Sequence, residues 1–202
     1  MNTQISRRSF IKKGFLALLA AAGCGAGARV YAEHIEPKWL DIVHHTISGP
    51  LIPKGFSGIK IAQFSDTHLG FQFGLKQLEK IIGKMNAIRP DIVLFTGDLM
   101  DNPTDCKQPE RISALLASIQ APLGKFCVYG NHDHGGNGTI LYETVMTDAN
   151  FTVLQNGNTA IRFNGDDIYI AGIDDASLGY PQWEPTFRDV PQHGYCLFLC
   201  HA

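Results

Sequence analysis

The amino-acid sequence predicts an α/β fold in which two mixed β-sheets pack as a sandwich flanked by helices. Short apolar runs alternate three times with helical patterns between residues 59 and 149, which is typical of parallel strands joined by helices. From residue 151 the apolar runs follow one another closely and are separated by Asn-Gly turns, which indicates a second, more antiparallel sheet. With 45% hydrophobic and 18% charged residues, the 202-residue chain can bury a core, which excludes a disordered protein.

Each unit of the first half is recognised by an apolar run, a polar cluster and a helical repeat. In the first unit, apolar residues recur at helical spacing from Leu75 to Met85, which predicts a helix. One further strand is predicted ahead of these units, over Trp39–Ile47. The predicted strands are Ile59–Phe64, Asp91–Thr96 and Phe126–Tyr129, and the predicted helices are Leu75–Ile88, Glu110–Ile119 and Thr139–Ala149.

The second half contains short strands and a loop. Asn-Gly pairs at residues 156–157 and 164–165 are good hairpin signals between alternating apolar runs. Residues Pro181–Pro191 are expected to form a loop, and His201 stands directly after a final buried strand. The strands predicted here are Phe151–Leu154, Thr159–Phe163, Asp167–Gly172 and Tyr195–Cys200.

Residues 1–32 are predicted to be a signal peptide, and residues 33–202 to be the folded domain. The segment Ser6-Arg7-Arg8-Ser9-Phe10-Ile11-Lys12 resembles the twin-arginine export signal and precedes a modest apolar stretch. This resemblance implies a partnership with the twin-arginine export machinery and a periplasmic or membrane-associated location on the outer side of the inner membrane. Cleavage before Glu33, lipidation at Cys24 and retention as an anchor stay open, and an ordinary amphipathic helix is the alternative.

The basic residues of the chain are unevenly distributed. Five of the 17 Lys and Arg residues lie in residues 1–32, a segment without Asp or Glu, so residues 33–202 are acidic. Because an acidic surface is unsuited to gripping a phosphate backbone, no stable nucleic-acid partner is expected.

Polar residues follow the predicted strands at the point where each strand ends. These residues offer carboxylate, imidazole and amide groups without a thiolate, a combination that suits Mn²⁺, Fe²⁺ or Zn²⁺. Taken singly, Asp66 could be a helix cap and Asn131 a turn residue. Together the six residues indicate a ligand site at the carboxyl ends of neighbouring strands: Asp66, His68, Asp98, Asn131, His132 and His201.

Three motifs in this set resemble the first three signatures of the calcineurin-like metallophosphoesterases. They are Asp66-Thr67-His68, Gly97-Asp98 and Gly130-Asn131-His132-Asp133, and Leu199-Cys200-His201 is similar to the start of the fourth. The resemblance covers about residues 59–201, and with the export signal it points to the exported bacterial phosphodiesterase branch. It implies two divalent metal ions (manganese, iron or zinc) and hydrolysis of a phosphodiester by a metal-bridging hydroxide.

The same resemblance implies a role for each site residue. Asp66 and His68 would hold one metal ion, Asn131 and His201 the other, and Asp98 would bridge them. His132 would donate to the phosphate or protonate the leaving oxygen, and Asp101 resembles the acid that pairs with this histidine. The substrate is expected to be a small-molecule or lipid-linked phosphodiester, and association with a membrane surface is possible.

Three residues near these motifs receive other interpretations. His134, beside two glycines, is expected to be a solvated loop residue or a substrate contact. Asp174 and Asp175 are interpreted as a turn, with lining of the cleft as the alternative.

The family pattern continues with a Gly-His-x-His segment after the lone histidine, whereas this sequence stops one residue after His201. We therefore expect that residues 33–202 form an incomplete domain whose C-terminal strands are missing. The alternative to an active phosphodiesterase is a catalytically impaired remnant that binds at most one metal ion or phosphate.

Overall fold

The structure, a computed structural model, describes residues 7–34, 40–135 and 137–201. It divides into two compact units, one ending at Ile42 and the other beginning at Val43. In the first unit, helix α1 (Arg7–His34) is 28 residues long. Its segment from Arg7 to Ala32 is long and apolar enough to cross a membrane, a test that a signal sequence also passes.

The strand predicted over Trp39–Ile47 is not observed in residues 40–47, so this prediction is wrong for the part of the segment that the structure describes. Trp39 lies outside the described residues, and residues 40–49 take part in no strand pairing. Most of this segment is exposed, so the alternating apolar residues that suggested a strand do not cover a core.

The first sheet of the second unit has four strands, all parallel, in the order β1-β2-β3-β4. Helices connect its neighbouring strands, as the alternating pattern predicts. The elements are β1 (Ile61–Phe64), α2 (Leu75–Ile88), β2 (Ile92–Phe95), α3 (Pro109–Ala117), β3 (Lys125–Cys127), α4 (Gly138–Asp148) and β4 (Thr152–Val153).

Alternate residues of the central strands face two different cores, because successive side chains of a strand point to opposite faces. Val93 and Phe95 of β2 pack with the buried faces of α2, α3 and α4. Ile92 and Leu94 of the same strand pack against the second sheet. The central strand β2 is therefore covered on both faces, which is why it is apolar throughout.

The second sheet has three strands in the order β5-β6-β7: β5 (Gly157–Phe163), β6 (Asp166–Gly172) and β7 (Cys196–Leu199). It is mixed, because β5 and β6 pair antiparallel and β6 and β7 pair parallel. Asn164 and Gly165 form the two-residue hairpin loop with φ values of 51° and 84°, as a type I′ turn requires. The predicted α/β fold with two sheets and flanking helices is confirmed.

Two local predictions are corrected. The run at residues 151–154 was expected in the second sheet, but β4 pairs parallel with β3, and the Leu154 N–H donates to the Cys127 carbonyl at 2.8 Å. The Asn156-Gly157 pair therefore connects the two sheets instead of closing a hairpin. The predicted loop at 181–191 contains helix α5 (Trp183–Phe187), whose two aromatic rings stack on each other and pack against Phe198 of β7.

Candidate metal centre

The loops after β1 and β2 continue side by side beyond the ends of the strands. The Asp66 N–H donates to the Gly97 carbonyl at 3.0 Å, and the His68 N–H donates to the Asp98 carbonyl at 3.1 Å. Asp66, His68 and Asp98 have positive φ values of 53°, 40° and 58°, a left-handed conformation that costs energy for residues with a side chain and often occurs at functional sites. The hydrogen bonds between the loops hold this strained backbone in place.

The glycines of the second and third motifs allow the loops after β2 and β3 to touch. A Cβ atom at Gly97 would collide with the backbone of Gly130, and a Cβ atom at Gly130 would collide with the Asp98 carboxylate. Gly97 also has φ of 100°, which favours glycine. Both glycines are therefore needed to bring Asp98 and the Gly130–Asp133 loop together.

Asp133 joins the same two loops through its carboxylate. Its side chain is fully buried and accepts the backbone N–H groups of Asp98 at 2.7 Å, Leu99 at 3.0 Å and Gly130 at 2.9 Å. Burial raises the pKa of the Asp133 carboxyl to about 7, although the three donors favour the ionised form. Asp133 fixes the backbone that carries Asp98.

His201 brings a side chain from the second sheet to this edge of the first sheet. Its Nδ1 donates to the Thr96 carbonyl at 2.8 Å, which leaves Nε2 as the ring atom that faces the site. Nε2 lies 3.6 Å from Asp98 Oδ2. The carboxyl ends of β2 and β7 thus meet at Asp98.

Asp98 Oδ2 lies between two imidazoles. It is 3.3 Å from His68 Nε2 and 3.6 Å from His201 Nε2, while Asp66 Oδ1 is 3.8 Å from His68 Nε2. One carboxylate oxygen from Asp66, one from Asp98 and one imidazole nitrogen of His201 lie within 4.8 Å of one another. Carboxylate oxygens this close repel each other, and a cation between them relieves the repulsion, so these residues fit a divalent metal ion.

A second cluster lies beside the first and consists of His68, Asp101 and His132, whose donor atoms are also within 4.8 Å of one another. The rings of His68 and His132 meet edge to face at 4.6 Å between centroids. His132 is anchored at its backbone, because its N–H donates to Asp98 Oδ1 at 2.9 Å. Asn131, the remaining predicted ligand, is half-buried and opens the same short 3-10 turn (Asn131–Asp133).

The contact between His132 and Asp101 runs through the backbone. His132 Nδ1 donates to the Asp101 carbonyl oxygen at 2.6 Å, and this hydrogen bond is the main reason why the pKa of His132 is raised. The Asp101 carboxylate lies near His68 instead, with Oδ1 3.6 Å from Nδ1. The predicted pairing of the Asp101 carboxyl with His132 stays a prediction.

The structure adds a buried pair that the sequence analysis missed. His134 was expected to be solvated or to contact the substrate, but its side chain is 8% exposed, and its Nε2 lies 2.8 Å from Asp174 Oδ1. Its ring also stacks on Tyr129. The two residues are 40 positions apart and come from different sheets, so local patterns carried no sign of this contact.

Asp174 is more than the turn residue that was expected. Its carboxylate is buried and accepts hydrogen bonds from Gln155 Nε2 at 3.0 Å and from the Tyr180 N–H at 2.9 Å. Burial alone would raise the pKa of Asp174, but these donors and His134 outweigh it and the pKa is lowered. Asp174 therefore ties the loop after β6 to the loop that carries His132.

Parallel strands that end in carboxylates and histidines are typical of a class of metal-dependent hydrolases. The sequence profile of the family "Calcineurin-like phosphoesterase" matches residues 59–195, a range that contains every predicted site residue except His201. The chain belongs to this family, whose members are hydrolases that use divalent metal ions.

Three relatives place the chain within the family. It is 42% identical over 199 residues to the protein named "Uncharacterized metallophosphoesterase YkuE" of Bacillus subtilis, covering 98% of this chain and 70% of the relative. It is 34% identical over 177 residues to an "Uncharacterized metallophosphoesterase" of Aquifex aeolicus, covering 84% and 64%. It is 37% identical over 108 residues to the "UDP-2,3-diacylglucosamine pyrophosphatase LpxG" of Chlamydia trachomatis, covering 52% and 32%.

Proposed function

We propose that this protein hydrolyses a phosphodiester with the help of two divalent metal ions, manganese, iron or zinc. The observation that carries the proposal is the position of Asp98 Oδ2, which faces the Nε2 atoms of both His68 and His201 at 3.3 and 3.6 Å. A carboxylate in this position can be shared by two cations. Asp66 and His68 would complete one metal site, and Asn131 and His201 the other.

Residues that are not metal ligands would act on the substrate. When bound, divalent cations lower the pKa of a coordinated water molecule and neutralise charge on phosphoryl oxygens. His132 is not needed as a ligand, and its Nδ1 is occupied by the Asp101 carbonyl, so Nε2 is free to face the substrate. A proton on Nε2 would stabilise the phosphate or be passed to the leaving oxygen.

The substrate class is proposed from the relatives. The Chlamydia relative is named for a pyrophosphatase that acts on UDP-2,3-diacylglucosamine, a lipid-linked diphosphate, although it shares only 108 aligned residues with this chain. We therefore propose a small-molecule or lipid-linked phosphodiester as the substrate.

We also propose export by the twin-arginine machinery and a location in the periplasm or at the outer side of the inner membrane. Two features support this location: the adjacent Arg7 and Arg8 at the start of α1, and the apolar helix that could act as a signal or an anchor. A position at the membrane surface would give access to a lipid-linked substrate.

Addition of Mn²⁺ to the metal-free full chain, followed by thermal unfolding, tests the proposal. At a metal concentration one hundred times Kd, binding to the native state stabilises by about 2.7 kcal/mol, which raises Tm by roughly 5–10 °C for a domain of this size. Asp66→Asn should remove most of this increase, and because Asp66 is half exposed this variant should fold. The control Asp148→Asn, an exposed acid at the end of α4, should retain the increase.

Turnover of an aryl phosphodiester completes the test. Metal-dependent hydrolysis is expected for the wild type and the Asp148→Asn control, with a loss for Asp66→Asn. A wild-type chain that is neither stabilised by Mn²⁺ nor able to hydrolyse the ester would contradict the proposed function.

A further inference from the structure

Asp101 contacts two histidines with two different groups. Its backbone carbonyl accepts the His132 Nδ1 hydrogen bond at 2.6 Å. Its carboxylate faces His68, with Oδ1 3.6 Å from Nδ1. A substitution of the Asp101 side chain therefore leaves the carbonyl contact to His132 in place while it removes the group that faces His68.

The two ring nitrogens of His68 face different groups. Nε2 faces the Asp98 and Asp66 carboxylates at 3.3 and 3.8 Å, which is the side of the candidate metal ions. Nδ1 is buried and has no hydrogen-bond partner among the residues that the structure describes. At 3.6 Å the Asp101 carboxylate is slightly too far for a hydrogen bond, but a movement of a few tenths of an ångström would make one.

A histidine that binds a metal ion through one nitrogen almost always donates its other N–H to a carboxylate or carbonyl, which fixes the tautomer and the ring orientation. For His68, whose Nε2 faces the candidate metal ions, the carboxylate that faces Nδ1 is that of Asp101, at 3.6 Å. The conformation of His68 adds to the need for one, since its φ of 40° places the side chain on a strained backbone that other contacts must hold.

We infer that Asp101 is a positioning residue for His68: its carboxylate accepts the Nδ1 proton and aims Nε2 at the metal ion shared with Asp66. This inference rests on the proposed function, because it assigns His68 to a metal ion. It differs from a pairing between the Asp101 carboxyl and His132, since the His132 ring donates its hydrogen bond to the Asp101 carbonyl. If Asp101 positions His68, loss of its carboxylate should lower metal affinity; if it acts through His132, metal affinity should not change.

The test measures Mn²⁺ binding to the metal-free full chain by isothermal titration calorimetry, with Asp101→Ala and Asp101→Asn as variants. Asp101→Ala should weaken one of the two Mn²⁺ sites by about 10–100-fold, the usual cost of losing such an outer partner. Asp101→Asn should lose much less, because its amide oxygen can still accept the Nδ1 proton. The matched control is Asp105→Ala, which removes an exposed acid from the same loop, where it bonds to Asn102.

His132→Ala separates the two arrangements. It should leave both Mn²⁺ affinities at the wild-type value, since His132 is not a proposed ligand, while turnover is lost. If Asp101→Ala behaves in the same way, with Mn²⁺ affinity within threefold of wild type and turnover lost, the inference is overturned and Asp101 acts through His132. An equal loss of affinity in Asp101→Asn and Asp101→Ala would also overturn it, because charge alone would then be responsible.

The same experiment distinguishes a failure of the proposed function from a failure of the role of Asp101. A wild-type chain that binds no Mn²⁺ contradicts the metal assignment itself. A wild-type chain that binds two ions, together with an Asp101→Ala variant that binds them equally well, contradicts only the role of Asp101. Circular dichroism of each variant, which should match the wild-type spectrum, verifies that the comparison is made between folded proteins.

Discussion

Replacement of Asp133 should destabilise the protein, because its carboxylate holds the backbone of two loops. The Asp133 carboxylate is fully buried and is the acceptor for three backbone N–H groups, at 2.7, 3.0 and 2.9 Å. Asp133→Ala leaves all three donors without this acceptor. Asp133→Asn keeps one oxygen but turns an amide NH₂ group towards at least one of the donors.

The magnitude follows from the number of unsatisfied groups. A buried backbone N–H that loses its partner costs about 1–3 kcal/mol, and entry of water or a small shift of the loop reduces the sum. We therefore expect a loss of about 1–3 kcal/mol in the free energy of unfolding for Asp133→Asn and about 3–5 kcal/mol for Asp133→Ala. Since a domain is commonly stable by only 5–15 kcal/mol, the alanine variant should be near the limit of folding.

Urea unfolding followed by circular dichroism at pH 8 measures both losses. Because the pKa of this carboxyl is raised to about 7, its ionisation costs stability, so the loss measured for the uncharged asparagine variant should be smaller at pH 8 than at pH 6. Asp148→Asn, at an exposed acid, should change the free energy of unfolding by less than about 0.5 kcal/mol. If Asp133→Ala costs less than about 1 kcal/mol, or if the asparagine variant is the less stable of the two, the loop is not held by this carboxylate.

Two more substitutions test the close contacts around the site. Gly130→Ala places a Cβ atom against the Asp98 carboxylate, so Mn²⁺ affinity should fall at least tenfold. Gly157→Ala, whose Cβ atom would meet none of the described atoms within 4 Å, should bind Mn²⁺ normally; equal affinities in the two variants would show that the contact at Gly130 is not tight. Asp174→Asn tests the buried pair with His134. The pKa of Asp174 is lowered in the fold, so its stabilisation is present above the unfolded pKa of about 4 and is lost as the pH falls through the lowered folded value. Urea unfolding should therefore show a wild-type advantage at pH 6 that narrows towards pH 3, and a constant difference would contradict this assignment.

The sequence predicts the fold correctly where the local pattern of apolar residues matches the face that is buried in the structure. The helix over Leu75–Ile88 is observed with the predicted bounds, because its apolar residues recur on one face and that face is buried. The partner of β4 was not predictable in this way. A two-residue strand such as β4 (Thr152–Val153) has no pattern that selects a sheet. Its place beside β3 is seen only in the parallel register and in the Leu154 N–H bond to the Cys127 carbonyl.

The candidate ligands could be predicted because each stands directly after an apolar run, and the ends of parallel strands meet at one edge of the sheet. The supporting acids could not. Asp133 and Asp174 carry the same carboxyl group as Asp66 and Asp98, and Asp133 even lies inside a motif, yet their oxygens are occupied by backbone N–H groups. Whether a carboxylate accepts N–H bonds or faces a cation depends on which way its loop turns, and here that depends on contacts between residues more than 30 positions apart.

The candidate ligand Asp98 also depends on the supporting acid Asp133. The carboxylate of Asp98 can face His68 and His201 because its own backbone N–H is held by Asp133 at 2.7 Å, and because Oδ1 is held by the His132 N–H at 2.9 Å, which leaves Oδ2 towards the imidazoles. Loss of Asp133 should therefore weaken metal binding as well as folding, because its carboxylate holds the backbone N–H of Asp98. The Asp133→Asn variant, which is expected to fold, should bind Mn²⁺ more weakly than wild type; an unchanged affinity would mean that Asp98 holds its orientation without this support.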